Sequence, residues 1–551
     1  MRRTKALRAL ASLARVARQY GPGLADRKLR LVAVLEKTEL TSAKQVLRLH
    51  ELLCFLDAYP DSRKLGLRAR GLLRRFRHRP DLGRRREELA GTGIAGTDIP
   101  YRFYWPTARW ISRRWPGALC IDRTDPPQAQ AMLEALPQLV PAVQAGLIRQ
   151  AGTPTLDALD RLCPHGVTDA DWFIGLVAAM PGDDATREAF FDRIDAPFIL
   201  RAGRSTPERT TARYGTPLLH PQNGPLRGPR PDLRRECRRA PLRVVDLRPA
   251  EAAALIDLAR ASMATRERDL AVFQYANPRD AFLADDGAGL GFAFVGIRPE
   301  RRLLLPAVYG GLTLQNGVPS GYVQLDVLGR HAEVSFNQFE TFRDSGAARV
   351  FARLVAAAHH VFGCDSFSIE PYQLGLGNDE GIESGAWWFY RRLGFRPGTA
   401  AGRRIASREV ARTRRQRGHR SSARTLRTLA RWHLFFSLER ARQARLPRKA
   451  ALLERAARAL QRFSLADAAE HRAAAAAAAA SWLGGRPPGT GPARVLADWA
   501  GIILALRSTG RWTQRDRQLL LAIVAAKAGA SERRYLRLLW RHDRLRRALD
   551  C

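Results

Sequence analysis

The spacing of apolar residues divides the chain into helical and mixed stretches. From residue 1 to about residue 90, apolar positions recur at three- and four-residue intervals among charged ones, which predicts helices. Residues 91–202 are also mainly helical in pattern, with an N-cap signature at Thr168. Residues 203–240, rich in Pro, Gly and Arg, predict an extended linker. Residues 407–551 return to a basic helical pattern and predict a further domain.

Between residues 241 and 406 the pattern alternates between strands and helices. The Asn316-Gly317 pair between apolar runs predicts a tight hairpin turn. We predict strands at residues 243–247, 291–296, 303–314, 321–327, 331–342 and 367–371. We predict helices at residues 250–262, 267–275, 347–362 and 381–393. The expected fold is therefore α/β of the α+β kind, a mixed sheet flanked by helices between mainly α-helical N- and C-terminal regions.

Two short segments, residues 101–105 and 110–115, interleave aromatic side chains with arginine. Such a pattern could stack single-stranded bases over a basic groove. Aromatic residues this close in sequence also anchor hydrophobic cores, and we favour that interpretation.

The charge of the chain is strongly positive, with 92 Lys and Arg against 53 Asp and Glu and a net charge of +39. Residues 401–450 alone hold 16 basic and 2 acidic side chains. This surplus favours a polyanionic partner, such as nucleic acid, an acidic protein or an anionic membrane, bound through the Arg-rich helices. The alternatives are solvated helix faces and a charge that reflects only solubility or coding bias.

The remaining bulk features indicate a cytoplasmic protein. No uninterrupted apolar run approaches about 18 residues, so no transmembrane helix is expected. The basic N-terminus lacks the apolar core of a secretory signal, although its acid-free Arg-rich pattern also suits a transit peptide. Six cysteines lie far apart, without metal or redox spacing, and predict no metal site.

One turn in the mixed segment has the features of a phosphate-binding site. The strand predicted at residues 331–342 runs through a glycine-containing turn into a long helix. Amides in the first turn of a helix have no partners within it, and together with the helix dipole they attract a phosphate or diphosphate. Gly346 lacks the side chain that would hold such a group away from the backbone. The predicted cofactor-binding turn consists of Arg343, Asp344, Ser345, Gly346, Ala347 and Ala348.

A second block follows in the helix predicted at residues 381–393. It consists of Ala386, Phe389, Tyr390, Arg392, Gly394 and Phe395. Together with Arg343, Gly346 and Ala348, and in this order, the two motifs make residues 242–406 resemble the GNAT (N-acetyltransferase) superfamily. The flanking regions resemble no family. Glu383 stands where that family usually has an asparagine, and Asn378 in the preceding loop is a candidate replacement for its contact with the cofactor.

The resemblance implies an acyl-CoA-dependent N-acyltransferase that transfers an acyl group, most simply acetyl, to an amine of an unknown acceptor. Backbone amides from Phe339 to Thr341 would polarise the thioester carbonyl. Tyr390 would protonate the departing thiolate. Glu340 is the first candidate base, with two weaker ones, Glu333 and Glu370. His359 and His360 are expected to be packing or solvent residues, and no metal is implied. The alternative is a catalytically silent fold of this type that binds a polyanion.

Overall fold

The computed structural model describes residues 2–124, 126–150, 156–215, 218–226, 228–343, 346–439, 445–463 and 467–549. The chain divides into two compact units. The first comprises Met1–Leu226, Ala254–Tyr275 and Gln315–Pro319. The second comprises Arg227–Ala253, Ala276–Leu314 and Ser320–Cys551. None of the helices among the described residues is long and apolar enough to cross a membrane.

The first 200 residues form helices, as their apolar spacing predicts, together with one small sheet that was not predicted. The helices are α1 (Arg2–Val16), α2 (Leu24–Glu36), α3 (Ala43–Ala58), α4 (Arg63–Arg75), α5 (Pro80–Gly83), α6 (Trp105–Arg114), α7 (Gln130–Leu139), α8 (Ala142–Gln150), α9 (Leu156–Leu162), α10 (Asp169–Ala179) and α11 (Asp184–Ile194). The strands are β1 (Ile99–Tyr101), β2 (Leu119–Ile121) and β3 (Phe198–Leu200), in the order β1-β3-β2.

Side-chain caps and aromatic packing shape this region. Thr168 caps α10 by accepting a hydrogen bond from the Asp171 amide at 3.2 Å, which confirms the predicted cap. The aromatic segment at residues 101–105 supplies core anchors, because Phe103 and Trp105 are buried. Trp105 lies 5.2 Å from the ring of Phe191. The core interpretation is therefore confirmed for these two side chains, while Tyr104 remains exposed.

The predicted linker over residues 203–240 is only partly irregular. No helix or strand occurs in the described residues from 203 to 226. A short helix, α12 (Leu233–Glu236), then follows, and Asp232 caps it. Leu233 is buried in the core of the second unit, and the guanidinium of Arg353 donates to the Glu236 carbonyl at 2.6 Å. This end of the predicted linker is thus packed structure, held by a buried apolar side chain and a buried cation.

The second unit is built on a nine-stranded sheet. Its strands are β4 (Arg243–Asp246), β5 (Ala276–Gly287), β6 (Leu290–Ile297), β7 (Ala307–Gln315), β8 (Val318–Leu328), β9 (His331–Gln338), β10 (Ser366–Ile369), β11 (Arg396–Pro397) and β12 (Leu434–Ser437). The spatial order is β11-β12-β10-β9-β8-β7-β6-β5-β4. Strands β9 and β10 pair in parallel, whereas β12 pairs antiparallel with both β10 and β11. The sheet is therefore mixed, and the α+β fold class is confirmed.

Fourteen labelled helices complete the described part of the chain after residue 226. They are α12, α13 (Pro249–Ala264), α14 (Ala271–Gln274), α15 (Ala347–Phe362), α16 (Asp379–Glu383), α17 (Ala386–Arg392), α18 (Ala400–Arg415), α19 (Ala423–Leu429), α20 (Lys449–Leu460), α21 (Ala468–Leu483), α22 (Thr490–Arg507), α23 (Gln514–Lys527), α24 (Glu532–Arg541) and α25 (Asp543–Leu549). Helices α20 to α25 share one hydrophobic core with the sheet and α15. The second unit therefore continues across the predicted domain boundary at residue 406.

Several predicted elements differ from the observed ones. The strand predicted at residues 331–342 ends at Gln338, and residues 340–342 form a 3-10 turn. The helix predicted at residues 381–393 is broken by Gly385, whose φ of 68° lies in the left-handed region. Strand β12 lies in a region predicted as helix, because its short apolar run has no periodicity of its own and becomes a strand only through pairing with β10 and β11. Strands β5 and β11 were not predicted either.

Candidate functional site

The predicted phosphate turn leads into α15 as expected. Gly346 adopts a φ of 78° at the N-cap position, a left-handed conformation that glycine tolerates without strain. The amides of Ala347 and Ala348 begin the helix, so they have no acceptor within it. Asp344 and Ser345 lie outside the described residues. Arg343 forms an ion pair with Glu380, so its cation is already partly neutralised.

A cavity of about 560 Å³ opens beside this helix N-terminus. Its walls come from α15, from α16 and α17, and from the segment between α18 and α19. The lining residues are Arg230, Ala348, Ile382, Glu383, Ser384, Gly385, Trp388, Phe389, Arg392, Leu393, Thr413, His419, Arg420, Ser421 and Leu426. Three arginines face one carboxylate in this set, so the cavity is a cationic space with an aromatic wall.

Packed aromatic rings join the cavity wall to the sheet. Phe336 of β9 stacks on Phe389 at 6.4 Å and meets Phe351 of α15 edge-on at 5.4 Å. Tyr390 packs against Phe351 at 5.3 Å and is 3% exposed. Burial raises the pKa of the Tyr390 phenol, and its hydroxyl forms no hydrogen bond with another described residue. The side chain is thus a protonated phenol at neutral pH with its hydrogen-bonding capacity unused.

A hydrogen-bonded group from the C-terminal segment forms the far wall. Glu409 accepts from His419 at 2.8 Å and from Ser421 at 2.6 Å. Ser421 in turn accepts from the Trp388 indole at 2.9 Å. Burial raises the pKa of Glu409, but the Ser421 and His419 hydrogen bonds outweigh it and lower the pKa below its usual range. Glu409 is therefore ionised and fixes two cavity residues that have no signature in sequence.

Gln338, the last residue of β9, is a buried amide without a partner. Its side chain lies on the same strand face as Phe336, because side chains alternate along a strand, and that face packs on α15. Gln338 is 6% exposed, and neither its amide oxygen nor its amide nitrogen has a hydrogen-bond partner among the described residues. Its cross-strand neighbour, Gly321, adds no side chain beside it. An unpaired buried amide costs about 1–3 kcal/mol and marks a place where a polar ligand would restore the bonds.

The opposite face of the sheet carries carboxylates. Glu333 pairs with His433 at 3.3 Å, and this bond outweighs burial to lower its pKa. Glu370, just after β10, is half-buried and hydrogen-bonded to Ser335. Burial, followed by the nearby charges of Glu333 and Asp326, raises the pKa of Glu370. The pKa of Glu370 is thus raised while that of Glu333 is lowered, and a raised pKa favours the uptake of a proton.

The other predicted site residues are placed differently from expectation. The Phe339 amide already donates to the Ser320 carbonyl at 3.0 Å, so it is engaged in the sheet and cannot polarise a ligand in this state. Thr341 is buried in the 3-10 turn, and Glu340 is exposed there rather than on the strand. Asn378 caps α16 by accepting from Gly381, and its amide nitrogen donates to the Tyr372 carbonyl. Its side chain is therefore committed to its own loop.

The two histidines of α15 have structural partners. His359 bonds to the Cys364 carbonyl at 2.7 Å, and His360 bonds to the Cys237 carbonyl at 2.8 Å. Both match the packing interpretation. Within the part of the chain that the structure describes, no cluster of three or more His, Cys, Asp or Glu side chains could hold a metal ion.

Comparison with known proteins adds no relative to this picture. No protein-family model, no curated protein and no solved structure matches the chain. The functional interpretation therefore depends on the geometry of the site and the two sequence motifs.

Proposed function

We propose that the protein is an acyl-CoA-dependent N-acyltransferase. The observation that carries the proposal is the cationic cavity directly beside the glycine-capped N-terminus of α15. A helix N-terminus favours a diphosphate, and arginines recognise phosphates through paired N–H donors. Arg230, Arg392 and Arg420 supply such donors around the same space. The volume of about 560 Å³ falls within the range of small-molecule sites.

The buried amide of Gln338 supports an acyl-CoA in particular. A primary amide offers one donor and one acceptor side, and the secondary amides of a pantetheine arm offer the complementary pair. Gln338 lies at the end of β9, on the strand face that packs against α15, with both halves of its amide unpaired among the described residues. Gln338 does not line the cavity and both of its amide atoms are covered, so a pantetheine arm would pair them only after the end of β9 and α15 separate to admit it.

The proposed chemistry is direct transfer from the thioester to an amine. The amine nitrogen forms the new amide bond, the carbonyl carbon–sulfur bond breaks, and the thiolate leaves. Glu370 takes the proton that the acceptor ammonium must lose before its nitrogen can attack, and its raised pKa suits that role. Tyr390 returns a proton to the thiolate, because its phenol is protonated at neutral pH. The carboxylates Asp326, Glu333 and Glu370 lie on the sheet face opposite the cavity, so a cationic acceptor would approach from that face and reach the thioester between the ends of β9 and β10.

Calorimetric titration of the full-length chain with acetyl-CoA, and with longer acyl-CoAs, tests the proposal. Gly346→Glu places a charged side chain where the diphosphate would bind and should lower affinity at least tenfold. Gly363→Glu is the matched control, because Gly363 caps the other end of α15 with a similar φ of 75°. Both variants carry a comparable backbone strain of about 1–2 kcal/mol. If wild type binds no acyl-CoA, or if both variants lose binding equally, the site is not a cofactor site.

A second candidate function is that of a binding protein without catalysis. Two observations favour it: the Phe339 amide already donates to the Ser320 carbonyl, and Glu340 is exposed. Release of free thiol from acetyl-CoA in the presence of small primary amines separates the two. Tight cofactor binding without thiol release for any amine would support the silent alternative.

A further inference from the structure

Helix α18 carries an exposed surface made almost entirely of arginine. Four of its arginines fall on one side within an arc of about 80°, because residues three, four and eleven apart lie close together around a helix. We define the arginine stripe as Arg404, Arg408, Arg412 and Arg415, all of which are exposed. Arg403 and Arg414 flank the stripe and are exposed as well. The only acid of this helix, Glu409, faces inward and is taken up by His419 and Ser421.

None of the stripe arginines forms an ion pair among the described residues, a property that they share with many other arginines of this strongly basic chain. Elsewhere, exposed arginines such as Arg84 and Arg123 form ion pairs with neighbouring carboxylates. Among the described residues, no acid lies within ion-pair distance of any stripe arginine. The one side-chain bond that joins the stripe to a neighbour runs from Arg412 to the neutral amide of Gln416 at 3.3 Å. Arg412 also acts electrostatically on the buried Glu409, so this one carboxylate balances the positive charge of the surface only in part.

Helix stability does not account for these residues. Like charges four residues apart destabilise a helix by about 0.2–0.5 kcal/mol per pair, and the stripe contains two such pairs. Arginine suits the C-terminal turn of a helix, which explains Arg412 and Arg415. Arg403 and Arg404 lie near the N-terminal end, where the helix dipole disfavours cations. Arg403 has a structural role there, because its guanidinium donates to the Gly398 carbonyl at 2.9 Å. Arg404 makes no such side-chain bond among the described residues, so folding does not explain it.

Further arginines lie beside α18 and extend its positively charged surface. Arg414 lies close enough to Arg391 of α17 to act on it electrostatically, and Arg396 of β11 does the same. Burial, followed by these two cations, lowers the pKa of Arg391 to about 10. The Nε of Arg391 is buried and has no partner among the described residues. The positively charged surface therefore extends from α18 to the half-buried guanidinium of Arg391, to which an anion could supply the missing hydrogen-bond acceptor.

We propose that the arginine stripe of α18 binds the phosphodiester backbone of a nucleic acid. Arginines four residues apart advance about 6 Å along the helix axis, so the stripe can follow a run of phosphates. Phosphate contacts need no apolar anchors, and sequence-independent binding is almost wholly electrostatic. A protein partner would use apolar or aromatic anchors, and a membrane surface would use an exposed apolar face. Neither occurs here, because the apolar residues of α18, such as Ile405 and Ala406, pack into the core.

The test measures fluorescence anisotropy of a labelled 20-nucleotide RNA, with a 20-base-pair DNA duplex as second probe, at several salt concentrations. Arg404→Gln, Arg408→Gln and Arg412→Gln are combined in one variant, since glutamine keeps helix propensity and removes the charge. The matched control combines Arg534→Gln, Arg537→Gln and Arg541→Gln on α24, which are also exposed. Both triple variants lower the net charge by three.

The stripe variant should lose at least tenfold in affinity at about 100 mM salt. Its log–log salt slope should fall by about 2 for single-stranded RNA, because three phosphate contacts contribute roughly 0.7 each. The α24 variant should change affinity less than threefold. Equal losses in both variants, or no binding by wild type at 50 mM salt, would overturn the proposal. Competition by polyglutamate as effective as that by RNA would overturn it too, because it would indicate a carboxylate partner.

Both triple variants should bind acetyl-CoA as wild type does, since no substituted arginine lines the cavity. Failure of the nucleic-acid proposal is therefore distinguishable from failure of the acyltransferase proposal. Far-ultraviolet circular dichroism and thermal melting check that the helices remain folded, and a stripe variant that melts no earlier than wild type makes its affinity interpretable.

Discussion

The most exacting physical prediction concerns a buried ion cluster in the second unit. Lys527 and Glu532 are each about 2% exposed or less and pair at 2.6 Å. Arg302, with its side chain also buried, lies 3.6 Å from Glu532. Asp280 completes the cluster by accepting from the Tyr309 hydroxyl and the Glu532 amide. The four charges sum to zero, so removing one leaves a net buried charge.

We predict that Glu532→Gln lowers the free energy of unfolding by about 3–5 kcal/mol, the usual cost of leaving a buried charge without its partner. The Coulomb attraction at 2.6 Å is about 6 kcal/mol at an effective dielectric constant of 20, and desolvation offsets much of it. Combining Lys527→Met with Glu532→Leu removes one charge of each sign and leaves Arg302 and Asp280 balanced. That double variant should lie within about 2 kcal/mol of wild type.

Thermal melting followed by tryptophan fluorescence measures both variants, and Trp499 is a buried reporter in the same core. The single variant should melt on the order of 5–10 °C lower. Burial already lowers the pKa of Lys527, and loss of Glu532 lowers it further. The folded state then releases a proton that the unfolded state keeps up to about pH 10, so the deficit should shrink as pH rises from 7 to 9. A double variant as unstable as the single one would refute the reasoning.

Three further predictions follow from single side chains. Gln338→Met should raise the melting temperature, because it removes a buried amide without a partner among the described residues. The same variant should weaken acetyl-CoA binding about threefold to tenfold in calorimetry, and unchanged binding would show that Gln338 is not part of the site. Burial raises the pKa of Asp192 to about 6, so the folded state binds more protons than the unfolded state between about pH 4 and pH 6 and stability falls with rising pH in that window. The free energy of unfolding of Asp192→Asn, relative to that of wild type, should therefore rise by about 1 kcal/mol from pH 4 to pH 7, a value discounted for partial exposure. Denaturant titrations at several pH values measure this difference, and a difference that does not change with pH would contradict the prediction. Glu409→Gln should lower the free energy of unfolding by about 1–3 kcal/mol, because it weakens the hydrogen bonds that hold His419 and Ser421 in the cavity wall. The readouts are a lower melting temperature and weaker acyl-CoA binding. The control is Glu454→Gln, at an exposed glutamate of α20.

Local patterns were sufficient to predict the elements that depend on neighbouring residues. The Asn316-Gly317 turn forms with φ values of 51° and 79°, because these two residue types tolerate left-handed backbone and join paired apolar runs. Helix α15 begins at the residue predicted and ends at Phe362, bounded by left-handed glycines at both ends. In each case the deciding interactions lie within a few residues of one another.

Features that depend on distant pairing were not predicted. Strand β12 has four residues and no alternation, so its partners β10 and β11 decide its conformation. Strand β9 ends at Gln338 because the chain then turns into the 3-10 helix of residues 340–342. Glu340 therefore lies in that turn and not on the strand. Glu340 was ranked first because the strand was predicted to continue through it, whereas the burial and neighbouring carboxylates that raise the pKa of Glu370 cannot be seen in a linear sequence.

The same limit explains why the two motifs cover only part of the cavity wall. The predicted cofactor turn and the block around Tyr390 are local motifs, and residues of both, such as Ala348 and Phe389, line the α15 and α17 walls of the cavity. The opposite wall, with His419, Arg420 and Ser421, comes from a segment assigned by sequence to a separate basic domain. Glu409 holds that wall against Trp388, while β12 joins the same segment to the sheet. The groups that would select the ligand therefore lie partly in the region without family resemblance, so a chain ending at residue 406 would keep both motifs and lose a wall of the cavity.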